Sequence, residues 1–182
     1  MGKLQKDISP ELQEFINMQK VFFVATAAQD GHINLSPKGY DSLRVLGPKK
    51  LVWLNLTGSG NETAAHLIKD DRMTIMFCAF EGKPRIIRLY GHAKIYHERD
   101  AEFQKHISLF EKNVGSRQII EMDIDTVLNS CGYSIPFMDF KEERVQLNSW
   151  SKKQGKEKIN SYWKERNSKS IDGFETNILE DL

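Results

Sequence analysis

The segment Thr57-Gly58-Ser59-Gly60-Asn61-Glu62-Thr63 joins a hydrophobic run ending at Leu56 to a helical pattern beginning at Ala64. It carries four hydroxyl or amide side chains, Thr57, Ser59, Asn61 and Thr63, and two glycines that let backbone amides converge on one spot. Together with the positive end of a short helix, these are what a bound phosphate needs. The same residues also make an ordinary Ser/Asn helix cap. No Gly-Lys-Ser/Thr is present in the segment, so it is not a Walker loop.

A second group lies on predicted strands. Ser36 and Lys38 share one strand face by the period-two rule, with Pro37 and Gly39 interrupting the strand around them. A cation there could neutralise a phosphate or hold an electron-rich ring system through hydrogen bonds, or simply project into solvent. Arg88 sits inside Ile86-Ile87-Arg88-Leu89-Tyr90, which should be largely buried, and a buried guanidinium wants an anionic partner. Other titratable groups form no motif. His66, His92, His97 and His106 lack metal-ligand spacing, so no metal site is expected. Cys78 reads as a packed core residue, and neither it nor Cys131 has a base or a CxxC partner nearby. No nucleophile elbow is present, and no catalytic acid or base is assigned.

Composition confines anion recognition to such local arrangements. Lys plus Arg number 26 against 25 Asp plus Glu, a formal net charge of +1, so neither nucleic acid nor an anionic membrane is an expected partner. The longest purely apolar runs, such as Val21 to Ala25, are far shorter than the roughly 20 residues that span a bilayer. The first residues, MGKLQKDISPELQEF, show no apolar signal region, and the two cysteines suggest no disulfide framework. A cytoplasmic, reducing location is the expectation. With 40% hydrophobic residues in 182, the chain has material for one sizeable core.

The elements that must position these groups follow from pattern. Ser9-Pro10 starts a helix ending near Gln19 or Lys20. Val21–Thr26 and a strand from Ile33 form a hairpin around Asp30-Gly31. Gly47-Pro48 turns into the strand Leu51–Leu56, and the polar loop leads to a short helix ending at Asp70-Asp71. Strands are predicted over 73–80 and 85–96, a helix over 97–113, a strand over 119–124, and a last strand over 131–135. After Phe140 the chain is charge-rich, with a helical Trp150–Trp163 portion and a polar tail packing on the surface or on a partner. The fold class is therefore mainly β, an antiparallel barrel with helices at its ends. Residues 1–140 form the barrel domain and residues 141–182 a C-terminal arm, within the same domain or at a dimer interface.

Taken in order, Phe23-Val24-Ala25-Thr26, Asp30-Gly31, Asn34-Leu35-Ser36-Pro37-Lys38-Gly39, Val52-Trp53-Leu54-Asn55, Gly58-Ser59-Gly60-Asn61-Glu62-Thr63-Ala64 and Arg88-Leu89-Tyr90-Gly91-His92-Ala93 resemble the pyridoxamine 5'-phosphate oxidase-like superfamily of FMN-binding split barrels. The likeness covers about residues 10 to 135. It implies a six-stranded split β-barrel that forms a homodimer, with FMN in clefts between the subunits. By the same resemblance, Ser36, Pro37, Lys38 and Gly39 contact the flavin and Leu54 and Asn55 line it. Ser59, Asn61 and Thr63 receive its phosphate, and Arg88 completes the pocket. Glu62 and Thr63 stand where the founding oxidase carries an Arg-Lys pair, and Ser36 lies near the position of an Arg. The oxidase's basic C-terminal motif is absent, so vitamin B6 oxidation is not expected. The expectation is an FMN-dependent oxidoreductase of unknown small-molecule substrate and electron donor. The alternatives are a non-catalytic flavin-binding or storage protein, a split barrel using haem or a deazaflavin, or a structural dimer.

Overall fold

In the computed structural model, which describes residues 2–179, the first helix begins as its sequence requires. Ser9 accepts a hydrogen bond from the Leu12 amide and Pro10 fills the first turn. The elements in chain order are β1 (Lys3–Gln5), α1 (Pro10–Met18), β2 (Phe22–Thr26), β3 (Asn34–Lys38), β4 (Leu43–Gly47) and β5 (Lys50–Leu56). There follow α2 (Glu62–Lys69), β6 (Arg72–Cys78), β7 (Ile86–His97), α3 (Ala101–Ile107), β8 (Ser116–Ser130) and α4 (Gln146–Arg166). All strand pairs are antiparallel, in the order β3-β2-β6-β7-β8-β5-β4, with β1 added on β8.

The sheet has eight strands where six were expected. The extra two are the short β1 and β4, which have little sequence signal of their own and take their conformation from β8 and β5. The sheet curls around one core containing Val24, Trp53, Ile75, Leu89, Ile120 and Met122, into which α1 inserts Leu12, Phe15 and Ile16. A second cluster, Val52, Leu54, Phe103, Phe110 and Ile119, seats α3 on the outer face of β5 and β8. Among the described residues no helix is long and apolar enough to cross a membrane.

Four boundaries differ from the sequence expectation, each for a local reason. Pro37 does not interrupt β3, which runs on to Lys38, because β3 is an edge strand and needs no amide on its open side. The helix predicted over 97–113 shrinks to Ala101–Ile107, since His97 still pairs with Gln118 and its amide donates to Asp100 Oδ2 in a turn. The predicted strand 131–135 is absent: β8 runs unbroken to Ser130, and the Ile135 amide closes a turn on the Gly132 carbonyl. Finally, α4 is two helices meeting at Gly155, whose φ of 73° a side chain would disfavour.

Bulges set the curvature. Tyr90 pairs with Thr126 but Gly91 with Ile124, so Asp125 is an extra residue on β8. At that point a Cβ on residue 91 would lie 2.0 Å from the Asp123 carbonyl oxygen. Gly91→Ala should therefore destabilise the fold by about 3 kcal/mol or more. A thermal melt checks this, and an unchanged midpoint would show that the strands do not approach so closely.

Candidate functional site

The inner face of β3 carries Asn34, Ser36 and Lys38, because they pair with Thr26, Val24 and Phe22 of the core-facing register. Across the curl, Asn55 ends β5 on its inner face, while Leu54 points the other way into the cluster under α3. The polar loop and the first turn of α2 follow, with the Asn61 carbonyl accepting from the amides of Ala64 and Ala65. These segments and residues 165–171 enclose a cavity of about 660 Å³. Of the residues expected to bind a cofactor, Ser36, Lys38, Asn55, Ser59, Asn61 and Thr63 line it. Four are placed elsewhere. Leu54 is buried under α3, Pro37 is exposed on the outer face of β3, and Gly39 borders a separate depression beside Ser42. Arg88 lies on the outer face, opposite Leu89 and Ile87, where it is half-buried and donates to Ser130 Oγ at 3.4 Å.

The buried guanidinium is that of Arg117, which sequence reasoning did not single out. In regular register it would lie opposite Leu56 and beneath α3. Instead Asn55 pairs with Gln118 and Leu56 with Ser116, leaving Arg117 as the extra residue of a bulge that turns its side chain into the cavity. Its NH1 donates to the Gly60 carbonyl at 2.9 Å and to Asn167 Oδ1 at 2.7 Å. Among the described residues no carboxylate forms an ion pair with it. Burial pulls its pKa down to about 9, so it remains charged at neutral pH. Lys38 is a second cation of the cavity, and unlike Arg166 and Lys169 on its rim it has no carboxylate partner among the described residues. Burial, then the repulsion of Arg117, brings its pKa to about 8, and its Nζ rests 5.1 Å from the centre of the Trp53 ring. Arg117 also helps hold His97 at about 4, behind burial and Arg99.

Polar atoms around this cavity are short of partners. Ser36 Oγ, Arg117 Nε and Asn61 Oδ1 are buried without a hydrogen bond, as is Nε2 of Gln118, whose Oε1 accepts from Asn55. Such orphans are uncommon in native interiors, and three of these four are donors or can donate. Thr63 Oγ1 accepts from Asn34. The Asn61 amide, expected on the phosphate, is instead spent on the Asn167 carbonyl at 3.3 Å. The N-terminal end of α2 also differs from a simple cap: Asn61 makes no side-chain bond to the helix.

Glu62, Glu165, Arg166 and Lys169 also line the cavity, with Arg166 paired to Glu165 and Lys169 to Glu175, while the histidines other than His97 are engaged elsewhere. His66 bonds to Thr26 and His106 to Glu121, while His92 lies between Asp71 and Asp125. Among the described residues no group of three or more His, Cys, Asp or Glu could hold a metal ion. Cys78 is buried and its thiol pushed up by desolvation.

Residues 8–131 match the family described as pyridoxamine 5'-phosphate oxidase. A curated relative, the pyridoxamine 5'-phosphate oxidase family protein ustO of Aspergillus flavus, is 37% identical over 139 residues. The match covers 74% of this chain but 56% of the relative, so the chain spans about half the length of the protein it matches. Among solved structures, HupZ of Group A Streptococcus aligns with a TM-score of 0.56 at 21% identity, covering 72% of this chain and 99% of that one. A candidate pyridoxamine 5'-phosphate oxidase of Lactobacillus delbrueckii aligns with a TM-score of 0.53 at 20% identity, covering 68% and 98%. These two structures share the split-barrel fold.

Lys38 makes anion binding in the cavity pH-dependent. An unfilled site loses the Lys38 proton as pH rises through about 8, whereas a bound anion favours the charged form. Between pH 7.5 and 8.5, where a phosphate monoester is already a dianion and Arg117 is still mostly charged, the monoester's affinity should fall with increasing pH, by about threefold. Calorimetric titration at several pH values reads this slope. Lys38→Met should flatten it, and a flat profile in the unsubstituted protein would contradict the assignment.

Proposed function

The chain belongs to the pyridoxamine 5'-phosphate oxidase family, and from that premise we propose that it binds FMN in the cavity beside the Gly58–Thr63 loop and works as a flavin-dependent oxidoreductase. The observation that carries this reading is Arg117, a buried guanidinium with no carboxylate, aimed by a bulge into a 660 Å³ cavity that Lys38 also lines. A volume of this size suits a cofactor of that class. The donors fit its two ends. Arg117, Lys38, Ser59 and Thr63 with the loop backbone would hold the phosphate, and Ser36 and Asn55 would meet the polar edge of the ring. Arg117 supplies the charge missing at Glu62 and Thr63, which explains how the loop can serve a phosphate without an Arg-Lys pair.

Bound flavin would supply hydride or electron transfer, and the protein's part is to orient it and exclude water. The carboxylates of the cavity wall are engaged, Glu62 with the Ile171 amide and Glu165 with Arg166. The barrel and the arm act as one unit in this reading, because residues 165–171 form part of the cavity wall.

The same reading has the protein as a homodimer. Ile33 is 79% exposed and Leu35 65%, and both lie at the edge strand β3, where a second copy would cover them. Arg88 shares the outer face with Leu35, so it would reach a cofactor only across the subunit interface. Two unpaired cysteines, Cys78 and Cys131, support a reducing, cytoplasmic location. Sedimentation should give twice the mass of the chain, and a monomer would remove Arg88 from the site.

The deciding experiment compares FMN with riboflavin by fluorescence titration. FMN should bind more tightly by about 100-fold, and Arg117→Met should cost FMN most of that advantage while leaving riboflavin affinity nearly unchanged. Equal binding of the two flavins by the unsubstituted protein would overturn the reading. Anaerobic reduction of the bound flavin by NADH or NADPH would then separate an oxidoreductase from a storage protein.

A further inference from the structure

The guanidinium of Arg117 is held in place by the far end of the chain. Asn167, wholly buried just after α4, accepts from Arg117 through Oδ1 at 2.7 Å and donates from Nδ2 to the Gly58 carbonyl at 3.1 Å. Its own carbonyl accepts from the Asn61 amide at 3.3 Å and from Thr176 Oγ1 at 2.6 Å. One residue thus ties the cavity's buried cation, both sides of the polar loop and the returning tail. The tail is fastened on either side of it. Trp163 Nε1 donates to Thr57 Oγ1, the Ile171 amide donates to Glu62, and Asp172 accepts from the amide and ring of His32.

The choice of a neutral amide matters. A carboxylate at residue 167 would neutralise Arg117, and a residue without an acceptor would leave one more of its donors unmet. Asparagine does neither: it orients the fork through one oxygen and leaves the positive charge for a ligand. We propose that Asn167 is a positioning residue, which sets Arg117 for the phosphate and makes recognition of a phosphorylated flavin depend on the chain's own C-terminal tail. This rests on the FMN reading above. It adds a residue beyond the stretch of 8–131 that matches the family, and one contributed in cis.

The test uses the full chain and three variants, each titrated with FMN and with riboflavin and checked by thermal melt. Asn167→Asp keeps an oxygen on Arg117 but cancels its charge, and should lower the FMN-to-riboflavin affinity ratio by at least about tenfold. Asn167→Ala should lower it too, by freeing the guanidinium. Leu12→Ala empties core space under α1, away from the cavity and the arm, and should leave the ratio unchanged even as the melting point falls. A purely structural role for Asn167 predicts that all three variants lose stability together and keep the ratio, which would overturn the proposal. If the unsubstituted protein shows no preference for FMN, the failure lies with the cofactor reading. If it prefers FMN and Asn167→Asp does so equally, the failure lies with Asn167 alone.

Discussion

A guanidinium taken out of water with no carboxylate partner among the described residues costs several kcal/mol even after relaxation. The structure around Arg117 is organised by that cost. The bulge at Asn55 and Leu56 turns the side chain away from the apolar cluster under α3 and toward the one polar cavity within reach. Two neutral oxygens, from Gly60 and Asn167, satisfy part of its fork without cancelling its charge. Lys38, lowered to about 8 partly by Arg117 itself, shows that the two cations feel one another. An arrangement of like charges with orphaned donors nearby is unfavourable by itself and favourable once an anion lies between them.

The same constraint explains why the C-terminal arm cannot be treated as an appendage. Ile159, Trp163 and Ile178 form a small core of their own, which seats the arm against the loop that follows β5. From there the chain turns back at Asn167 and crosses the first turn of α2. The break at Gly155 divides α4 in two, and the second part carries Ile159 and Trp163 into this small core. Stability of the arm and order in the cavity are therefore coupled through a few buried polar contacts rather than through a broad apolar interface.

Much of the framework was legible in the sequence because it rests on local signals. Ser9-Pro10 and Asp30-Gly31 sit where capping and turn chemistry put them, and runs rich in β-branched and aromatic residues became β2, β5, β6 and β7. Elements without such signals were missed. β1 and β4 exist because neighbouring strands offer an open edge, and 97–113 shortened because His97 had a partner in β8 that no local pattern announces. The site divides the same way. Ser36 and Lys38 followed from period two, but the same rule already says that Leu54 and Asn55 cannot both point inward. Arg117 was hidden because a bulge reverses the face that alternation assigns. Its one signal was an Arg-Gln pair at the head of a strand otherwise rich in Ile. Asn167 left none, since it lies 50 residues from the cation it orients.

The central claim is that Arg117 and Lys38 hold a phosphate dianion, and phosphorus NMR of the protein with FMN bound measures this directly. The account predicts that the bound phosphate keeps its dianion chemical shift as pH falls through about 6, where a free phosphate monoester takes up its second proton. A bound signal that titrates in the same way as free FMN would show that the phosphate lies in water, away from both cations, and would contradict the account.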